Sequence, residues 1–321
     1  MDNAKLPQQN DTQPAAMTTL AEYAQKDCEK DICAMSTGIK TGFSNLDQYT
    51  SIMPGIYVLG AMPALGKTTF AHQLGEQIAA SGKPVIYFTF EQKKIDFLLK
   101  SLSRESAISN MKEAISAIDL RLGIAEHDTA VSEKFYSLQN EYIAKNLNYY
   151  VVECEFGLSI SALVSKIEQC IKQLSDLPVV FVDYLQVVGS DNATASQRES
   201  VDTIIEQLKR LQQKNNLTLF LISSISRQNY LTALEIDSFK ESGKIEFTAD
   251  VIWGLQYKAV HGDIFNSDRN ISQKREVLAA EKNKFPRSIE LTCLKNRFGS
   301  TFDCDFLYYS EFDYFKPNYG R

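Results

Sequence analysis

The clearest chemical signature in the sequence is the run Gly66-Lys67-Thr68, which follows the apolar stretch 56–61 and opens a helix-period segment at 67–81. A strand, a loop and a helix in this order are typical of phosphate binding, because the loop N–H groups and the helix N-terminus attract anions. Lys67 would reach the β- and γ-phosphates of ATP, and Thr68 would ligate Mg²⁺. The residues predicted to hold the nucleotide are Ala64, Leu65, Gly66, Lys67, Thr68 and Thr69.

This loop departs from the usual pattern at its first position, where a glycine normally stands five residues before the glycine of the Gly-Lys pair. Ala61 occupies that position, although Gly60 lies beside it. The alternative is a Gly-Lys-Thr triplet that begins a helix by chance. The apolar run before it and the helical pattern after it favour the phosphate site.

Two carboxylates follow apolar runs and are candidates for the rest of the chemistry. Asp183 ends the run 178–183 (PVVFVD), and ligands of open α/β sheets bind where strands end, so Asp183 is predicted to hold Mg²⁺ through water. Glu91 follows the run 84–90 (PVIYFTF) and could orient or deprotonate a water near the γ-phosphate. An equally good interpretation from spacing alone makes Glu91 an acidic residue at the start of a helix over 92–104.

The elements that must position these residues alternate along the chain. Short apolar runs without polar alternation indicate strands covered on both faces, and the helical segments between them indicate parallel strands in an α/β fold. The predicted strands are 56–61, 84–90, 148–153, 178–183, 218–223 and 250–256, and the predicted helices are 67–81, 92–104, 130–145, 159–174 and 197–214. Alternating Phe and Tyr at 288–297 and 301–317, around a turn at Gly299-Ser300, predict a terminal antiparallel hairpin.

Composition limits the class of protein. The chain has 321 residues, of which 44% are apolar and 23% charged, which excludes a wholly disordered, collagenous or coiled-coil protein. No apolar stretch approaches the ~18 residues of a spanning helix, no secretory leader is expected, and six sparse cysteines suggest a reduced, cytoplasmic protein. The net charge, 34 − 40 = −6, argues against a protein that coats DNA but leaves room for a local basic channel.

In order, these motifs resemble the C-terminal ATPase domain of the DnaB-type replicative helicases, which has a RecA-like P-loop fold. The resemblance covers about residues 37–317. It rests on TGIKTGFSNLD at 37–47, AMPALGKTTFA at 61–71, YFTFE at 87–91, VDYLQ at 182–186, LISSISR at 221–227, KESGKIE at 240–246, ADV at 249–251 and LKNRFG at 294–299.

The resemblance implies an ATP-hydrolysing ring motor, a hexamer, that moves on single-stranded DNA and unwinds duplex during replication. Glu91 would be the catalytic carboxylate. Lys295 and Arg297 would act as an arginine finger on the nucleotide of the neighbouring subunit, where a cation neutralises the charge that develops on the transferred phosphoryl group. A surface Lys and Arg beside a turn is the alternative interpretation of these two residues.

Several features depart from the family pattern. Ser224 stands where the family usually has a glutamine that senses the γ-phosphate, and it is too short to make the same contact. The N-terminal collar domain of the family is expected to be absent, and residues 258–287 look longer than the usual link. These features resemble helicase modules of phages and integrative elements, which can work beside a primase or a loader.

Contact with DNA would come from loops that line the pore of the ring, each supplying a few N–H groups and cations. The matching residues are Lys240, Glu241, Ser242 and Gly243, together with Arg198 in the loop 189–200. A solvated turn is the alternative. The basic run 274–297 could face DNA or a neighbouring subunit, or be a solvated helix face.

The predicted domain organisation is a disordered arm at 1–16, a linker helix at 17–36 and the ATPase domain at 37–321. The linker helix could pack on the next subunit or cap its own domain. Two other functions remain open from the sequence. One is a DNA-stimulated ATPase that does not unwind, such as a loader or recombination mediator, and the other is an assembly module gated by nucleotide.

Overall fold

The computed structural model describes residues 19–26, 29, 38–192, 196–239, 243–266 and 270–319. The predicted arm, most of the predicted linker helix, and Lys240, Glu241 and Ser242 lie outside these residues. The chain falls into two units, Met1–Gly38 and Ile39–Arg321. In the first unit, helix α1 (Leu20–Lys26) lies within the predicted linker helix, and Thr19 and Glu22 cap its start with reciprocal hydrogen bonds.

In the described part of the second unit, the strands form one nine-stranded sheet in the order β3-β2-β4-β5-β1-β6-β7-β8-β9. Strands β1 to β6 pair in parallel, whereas β7, β8 and β9 are antiparallel. The strands are β1 (Gly55–Ala61), β2 (Val85–Thr89), β3 (Tyr149–Glu153), β4 (Val179–Asp183), β5 (Thr218–Ser224), β6 (Val251–Tyr257), β7 (Arg287–Asn296), β8 (Asp303–Tyr309) and β9 (Tyr314–Pro317). The predicted α/β fold with a mostly parallel sheet is therefore confirmed.

Helices connect the parallel strands and cover the sheet. They are α2 (Lys67–Ala80), α3 (Lys94–Ser109), α4 (Ala117–Ala125), α5 (Thr129–Lys145), α6 (Ile160–Ile171), α7 (Gln197–Asn215), α8 (Gly243–Thr248) and α9 (Ile271–Asn283). Among the described residues, no helix is both long enough and apolar enough to cross a membrane.

The core has one layer on each face of the sheet, because successive side chains of a strand point to opposite faces. Tyr57 and Leu59 of β1 belong to one buried cluster, and Ile56 and Val58 belong to the other. On the first face, Phe181 and Phe220 of neighbouring strands stack with ring centroids 4.7 Å apart. Burial on both faces is the reason why the central strands read as continuous apolar runs.

The antiparallel end of the sheet contains one strand more than expected. The predicted strand 301–317 is interrupted at 310–313 and forms β8 and β9, so the terminal hairpin is part of a three-stranded antiparallel region. The long link 258–287 holds two short 3-10 helices, Lys258–His261 and Asp263–Asn266, and then α9.

Candidate functional site

The loop between β1 and α2 has the backbone shape of an anion site. Ala64 and Gly66 have positive φ angles of 61° and 93°. A Cβ atom on Gly66 would lie 3.0 Å from the ring of Tyr308, so this position needs glycine for its dihedral angles and for space. Gly66 directly precedes α2 and has no side chain to cap the first turn, which leaves those N–H groups able to hold a phosphate.

Lys67, Thr68 and Asp183 meet beside this loop. Burial lowers the pKa of Lys67, while the nearby carboxylates of Asp183 and Glu91 act in the opposite direction. The Thr68 hydroxyl lies close enough to Asp183 to lower the pKa of that carboxyl group, and the Tyr87 hydroxyl donates a hydrogen bond to it over 2.7 Å. The structure thus brings the predicted lysine, hydroxyl and strand-end carboxylate to one place.

A divalent cation suits this donor set. Asp183 is buried, and burial raises the pKa of its carboxyl group although Thr68, Tyr87 and Lys67 act to lower it. A hydroxyl and a buried carboxylate are the hard oxygen ligands that Mg²⁺ prefers, and the ion would offset the cost of burying the charge. The residues present therefore fit Mg²⁺.

Glu91 extends from the end of β2, beside β4. Thr89 of β2 pairs with Asp183 of β4, so Glu91 lies two residues beyond that pair at the same edge of the sheet. Its carboxylate lies near Tyr184, and after burial this carboxylate is the main cause of the raised pKa of Tyr184.

The start of α3 is occupied by other acidic side chains. Asp96 accepts a hydrogen bond from the Lys93 N–H over 3.1 Å, and Glu153 accepts one from the Lys94 N–H over 2.8 Å. Glu91 precedes the first turn of α3 and accepts neither of these two hydrogen bonds.

Gln186 lies beside Ser224, the residue that stands where the family usually has a glutamine. Its amide donates to the Ser223 hydroxyl over 2.8 Å and accepts from the Ser224 N–H over 3.3 Å. Ser224 itself pairs with Ala61 at the start of the phosphate loop. Sequence reasoning missed Gln186 as a site residue, although it belongs to the quoted run VDYLQ.

A polar contact ties the start of α2 to the turn between β8 and β9. Thr69 donates a hydrogen bond to Asp313 over 2.9 Å, and the Lys100 ammonium lies 3.8 Å from the same carboxylate. Asp313 has a positive φ of 49°. Asp313 was not predicted as a site residue, because only the fold brings this turn near Thr69.

Lys295 and Arg297 lie at the opposite edge of the sheet. Asn296 of β7 pairs with Val251, the first residue of β6, whereas the phosphate loop follows the last residue of β1. Arg297 donates to the Asp250 carboxylate over 2.8 Å, and Lys295 donates to the Glu246 carbonyl over 2.5 Å.

This separation is large compared with the reach of a side chain. Arg297 bonds to the backbone of Asp250, and Asp250 to that of Ile56, so Arg297 lies level with Ile56, five residues before Ala61, or ~16 Å along the strand at ~3.3 Å per residue. The guanidinium of Arg297 is held by the Asp250 carboxylate and the Phe247 carbonyl, both of which precede β6. Asp250, which holds it, also accepts hydrogen bonds from Lys209 over 2.8 Å and from the Ile56 N–H over 2.9 Å.

A pair of glycines underlies the loop 226–239 that leads toward Lys240. Gly60 of β1 and Gly254 of β6 are neighbours in register. A Cβ atom on Gly60 would overlap the Phe239 ring, and one on Gly254 would lie 2.7 Å from Leu234. The loop therefore rests on the strand that carries the phosphate loop, one residue before Ala61.

The predicted DNA contacts are only partly described. Arg198 is exposed in the first turn of α7, and Gly243 is the first residue of α8. Lys240, Glu241 and Ser242 fall in a gap between described ranges, so the geometry of this group stays a prediction.

Comparison with known proteins agrees with this arrangement. A model of the DnaB-like helicase C-terminal domain matches residues 38–317. The chain is 26% identical over 256 residues to the replicative DNA helicase DnaB of Pasteurella multocida, covering 78% of this chain and 52% of that protein. It is 27% identical over 268 residues to the replicative DNA helicase DnaC of Bacillus subtilis, covering 81% of this chain and 55% of that protein. The chain thus spans about half the length of these relatives.

Solved structures share the fold. One solved ATPase domain superimposes with a TM-score of 0.75 at 19% identity, covering 94% of this chain and all of that chain. A DnaB-like replicative helicase, described with its interactions with primase, gives a TM-score of 0.72 at 18% identity, covering 94% of this chain and 67% of that chain. The family model spans most of the sequence, and the chain therefore belongs to the DnaB-like helicase C-terminal domain family.

Proposed function

We propose that this chain is the motor of an ATP-dependent DNA helicase of replication. The observation that carries the proposal is the convergence of Lys67, Thr68, Asp183 and Glu91 around an anion-binding loop, in a chain of this family. A lysine, a hydroxyl and two carboxylates of this kind suit phosphoryl transfer from ATP to water.

Each residue has a distinct role in the proposed hydrolysis. The N–H groups at the start of α2 and the Lys67 ammonium bind the β- and γ-phosphates. Thr68 and Asp183 would hold Mg²⁺, which supplies positive charge to the phosphate oxygens. Glu91 orients the attacking water and accepts its proton, and Tyr184 keeps that carboxylate in place.

Positive charge for the γ-phosphate comes from a second copy of the chain. Lys295 is level with Val58 and Arg297 with Ile56 of β1, and both side chains are bonded to the segment before β6, away from their own phosphate loop, so we assign them to the nucleotide of a neighbour. This separation supports a composite site between protomers, and a closed hexameric ring is the assembly we propose.

The proposed partners are single-stranded DNA and a primase or loader. Lys240, Glu241, Ser242, Gly243 and Arg198 would hold the DNA backbone in the pore. One structural neighbour is described together with its interactions with primase, which supports a similar partner here. We also propose a cytoplasmic location, since the four cysteines in the described residues are free thiols.

ATP hydrolysis with and without single-stranded DNA, measured beside the mass of the assembly, tests the proposal. DNA should stimulate hydrolysis several-fold, and the mass should correspond to a ring.

Lys67→Ala should abolish turnover, because the β- and γ-phosphates lose their cation. Lys93→Ala removes an exposed lysine and is the matched control. Undiminished hydrolysis by Lys67→Ala would refute the phosphate site.

Strand displacement separates unwinding from ATPase activity alone. Ser224 favours the second candidate, a DNA-stimulated ATPase that loads or remodels without unwinding. That candidate predicts stimulation by DNA without displaced strand. A nucleotide-gated assembly module predicts hydrolysis that is unchanged by DNA.

A further inference from the structure

One face of α9 carries a pattern that the proposed function does not use. Arg275, Leu278, Ala279 and Lys282 lie at positions i, i+3, i+4 and i+7, so they form a single stripe with a cation at each end. Leu278 packs against the main core cluster and anchors the helix. Arg275 and Lys282 are exposed and have no hydrogen bond or ion pair within the described ranges.

This stripe forms one wall of a groove beside the phosphate loop. The groove has a volume of about 350 Å³. Its other walls are Met62 and Pro63 of the phosphate loop, Tyr230 and Leu231 after β5, and Tyr257 at the end of β6. The groove is thus apolar along its floor and positively charged at both ends, which suits a partner that offers an apolar side chain next to an acidic one.

The opposite edge of the same chain offers such a pair. Phe247, in α8, is 73% exposed, and Glu246 beside it is exposed without an ion pair among the described residues. Both residues are hydrogen-bonded through their carbonyl groups to Lys295 and Arg297, the two residues of the predicted finger. Lys295 donates to the Glu246 carbonyl over 2.5 Å, and Arg297 donates to the Phe247 carbonyl over 3.3 Å.

The position of these two residues follows from those bonds. When Arg297 reaches the phosphate loop of a neighbouring protomer, the segment that holds it must lie against the surroundings of that loop. Met62 and Pro63 belong both to the phosphate loop and to the groove. The segment 246–247 therefore meets the surface on which the groove opens.

We infer that the groove along α9 is the docking site for residues 246–247 of a second copy of this chain. Phe247 of the partner subunit enters the apolar floor, and Glu246 of the partner subunit pairs with the cation at one end of the groove. This inference rests on the proposed delivery of Arg297 in trans. It gives the long segment 258–287 a role in holding that finger in register with the nucleotide.

A charge-swap series tests the inference through the dissociation constant of the assembly, measured by sedimentation. The double variant Arg275→Glu/Lys282→Glu and the variant Glu246→Lys should each weaken assembly about tenfold or more. The triple variant should recover to within about threefold of the wild type, since opposite charges again face each other. Lys112→Glu reverses an exposed cation elsewhere and should leave assembly unchanged. Failure of the swap to restore assembly would overturn the inference.

Disulfide formation gives a second readout that does not depend on charge. The chain with Phe247→Cys and Ala279→Cys should form covalent dimers and higher species on oxidation, whereas either single variant should not. A protein that assembles but gives no such cross-link contradicts the docking. If the charge variants instead lose affinity for single-stranded DNA at unchanged mass, the groove is a nucleic-acid site and the inference fails.

The trans finger itself is tested separately, with variants whose grooves are intact. Restored ATPase in a mixture of Arg297→Ala and Glu91→Gln proteins, together with groove variants that assemble normally, would remove only the groove inference. If ATPase activity is not restored in the mixture while the groove variants do weaken assembly, the hypothesis that Arg297 acts in trans would instead be refuted.

Discussion

The carboxylate of Asp183 shows how much of a site residue can be predicted from sequence. Its place at the end of a buried strand, in a chain with a Gly-Lys-Thr loop, was sufficient to predict a role beside that loop, and the two lie close together. The hydrogen bond from Tyr87 was not predictable, because an apolar run gives no information about which residue of the next strand stands opposite. Gln186 was missed for the same reason.

A buried ion pair joins α2 to α3 beneath the phosphate loop. Glu76 is bonded to the guanidinium of Arg104 and accepts hydrogen bonds from Ser101 over 2.5 Å and Tyr142 over 2.7 Å. Arg104→Ala should lower the free energy of unfolding by about 3–5 kcal/mol, since it leaves the Glu76 charge buried and unpaired.

The matched control is Arg121→Ala, which removes a pair with Asp96 at the surface. The Arg121 side chain is 58% exposed, against 3% for Arg104, so its removal should cost about 1 kcal/mol or less. Urea unfolding measures both values. Equal losses for the two variants would contradict this account of the pair.

His72 makes stability depend on pH. Burial lowers the pKa of His72 to about 3, and its ring contacts Tyr149 and Ser101. Between the unfolded pKa of about 6.5 and the folded value, the unfolded chain binds more protons, so stability should fall as pH drops below about 6.5. The slope from this group approaches ~1.4 kcal/mol per pH unit.

His72→Gln, which retains polar contacts without a titrating ring, should remove that component of the slope. Denaturant unfolding between pH 4 and 8 of both proteins gives the comparison. Identical slopes for the two proteins would show that His72 is not the responsible group.

At the scale of elements, the glycine pair makes a prediction about the contact between a loop and the sheet. Gly60→Val places atoms where the Phe239 ring lies and should destabilise the fold by ~1–3 kcal/mol, because the core there has no space for a side chain. Combined with Phe239→Ala, it should cost less than the sum of the two single losses, because the added volume fills the space that the ring vacates. Urea unfolding of the single and double variants measures this difference.

The control for this pair is Gly299→Ala, where the nearest atom to a Cβ is 3.4 Å away. Its free energy of unfolding should stay within ~0.5 kcal/mol of the wild type. A Gly60→Val protein as stable as this control would show that Phe239 moves away freely and does not couple the loop to β1.

Most of the strands that were predicted from the sequence are more completely buried than the elements that were missed. Strands β1, β2, β4, β5 and β6 are buried on both faces, so they appear in the sequence as apolar runs, whereas the edge strand β3 is only partly buried. Helix α9 has one apolar anchor, Leu278, between charged residues, and its pattern resembled a solvated segment. The break between β8 and β9 was missed because Glu311 and Phe312 are not typical turn residues, and the left-handed Asp313 reverses the chain.

At the scale of the whole molecule, mixing two inactive proteins tests the composite site. Arg297→Ala chains retain Glu91, and Glu91→Gln chains retain Arg297, so some interfaces of a mixed assembly have both groups. ATPase activity should therefore reappear on mixing, well above the sum of the separate proteins.

The control mixes Arg297→Ala with Lys295→Ala/Arg297→Ala protein, in which no interface has an intact finger. This control mixture should stay inactive. If the Arg297→Ala and Glu91→Gln proteins form mixed assemblies by mass but remain inactive as well, that result would count against delivery in trans.

The net charge of −6 was a weak guide to nucleic acid, because the predicted contacts are a few loop residues per chain. The sequence could not predict how far apart the motif at 294–299 and the phosphate loop lie in the fold. The motif at 294–299 and the phosphate loop both suggested phosphate chemistry, and only the strand register places them at opposite edges of the sheet.

With the proposed finger acting in trans, the protomer has a donor end and an acceptor end, and the proposed contacts are head-to-tail rather than two-fold. Such contacts leave one phosphate loop and one finger unpaired at the ends of every open assembly. Closing the assembly into a ring brings these two ends together and completes the last site. An open row of n chains then holds n − 1 complete sites and an isolated chain holds none. Activity per chain therefore depends on the number of interfaces per chain. Dilution should lower the total activity more steeply than it lowers the protein concentration.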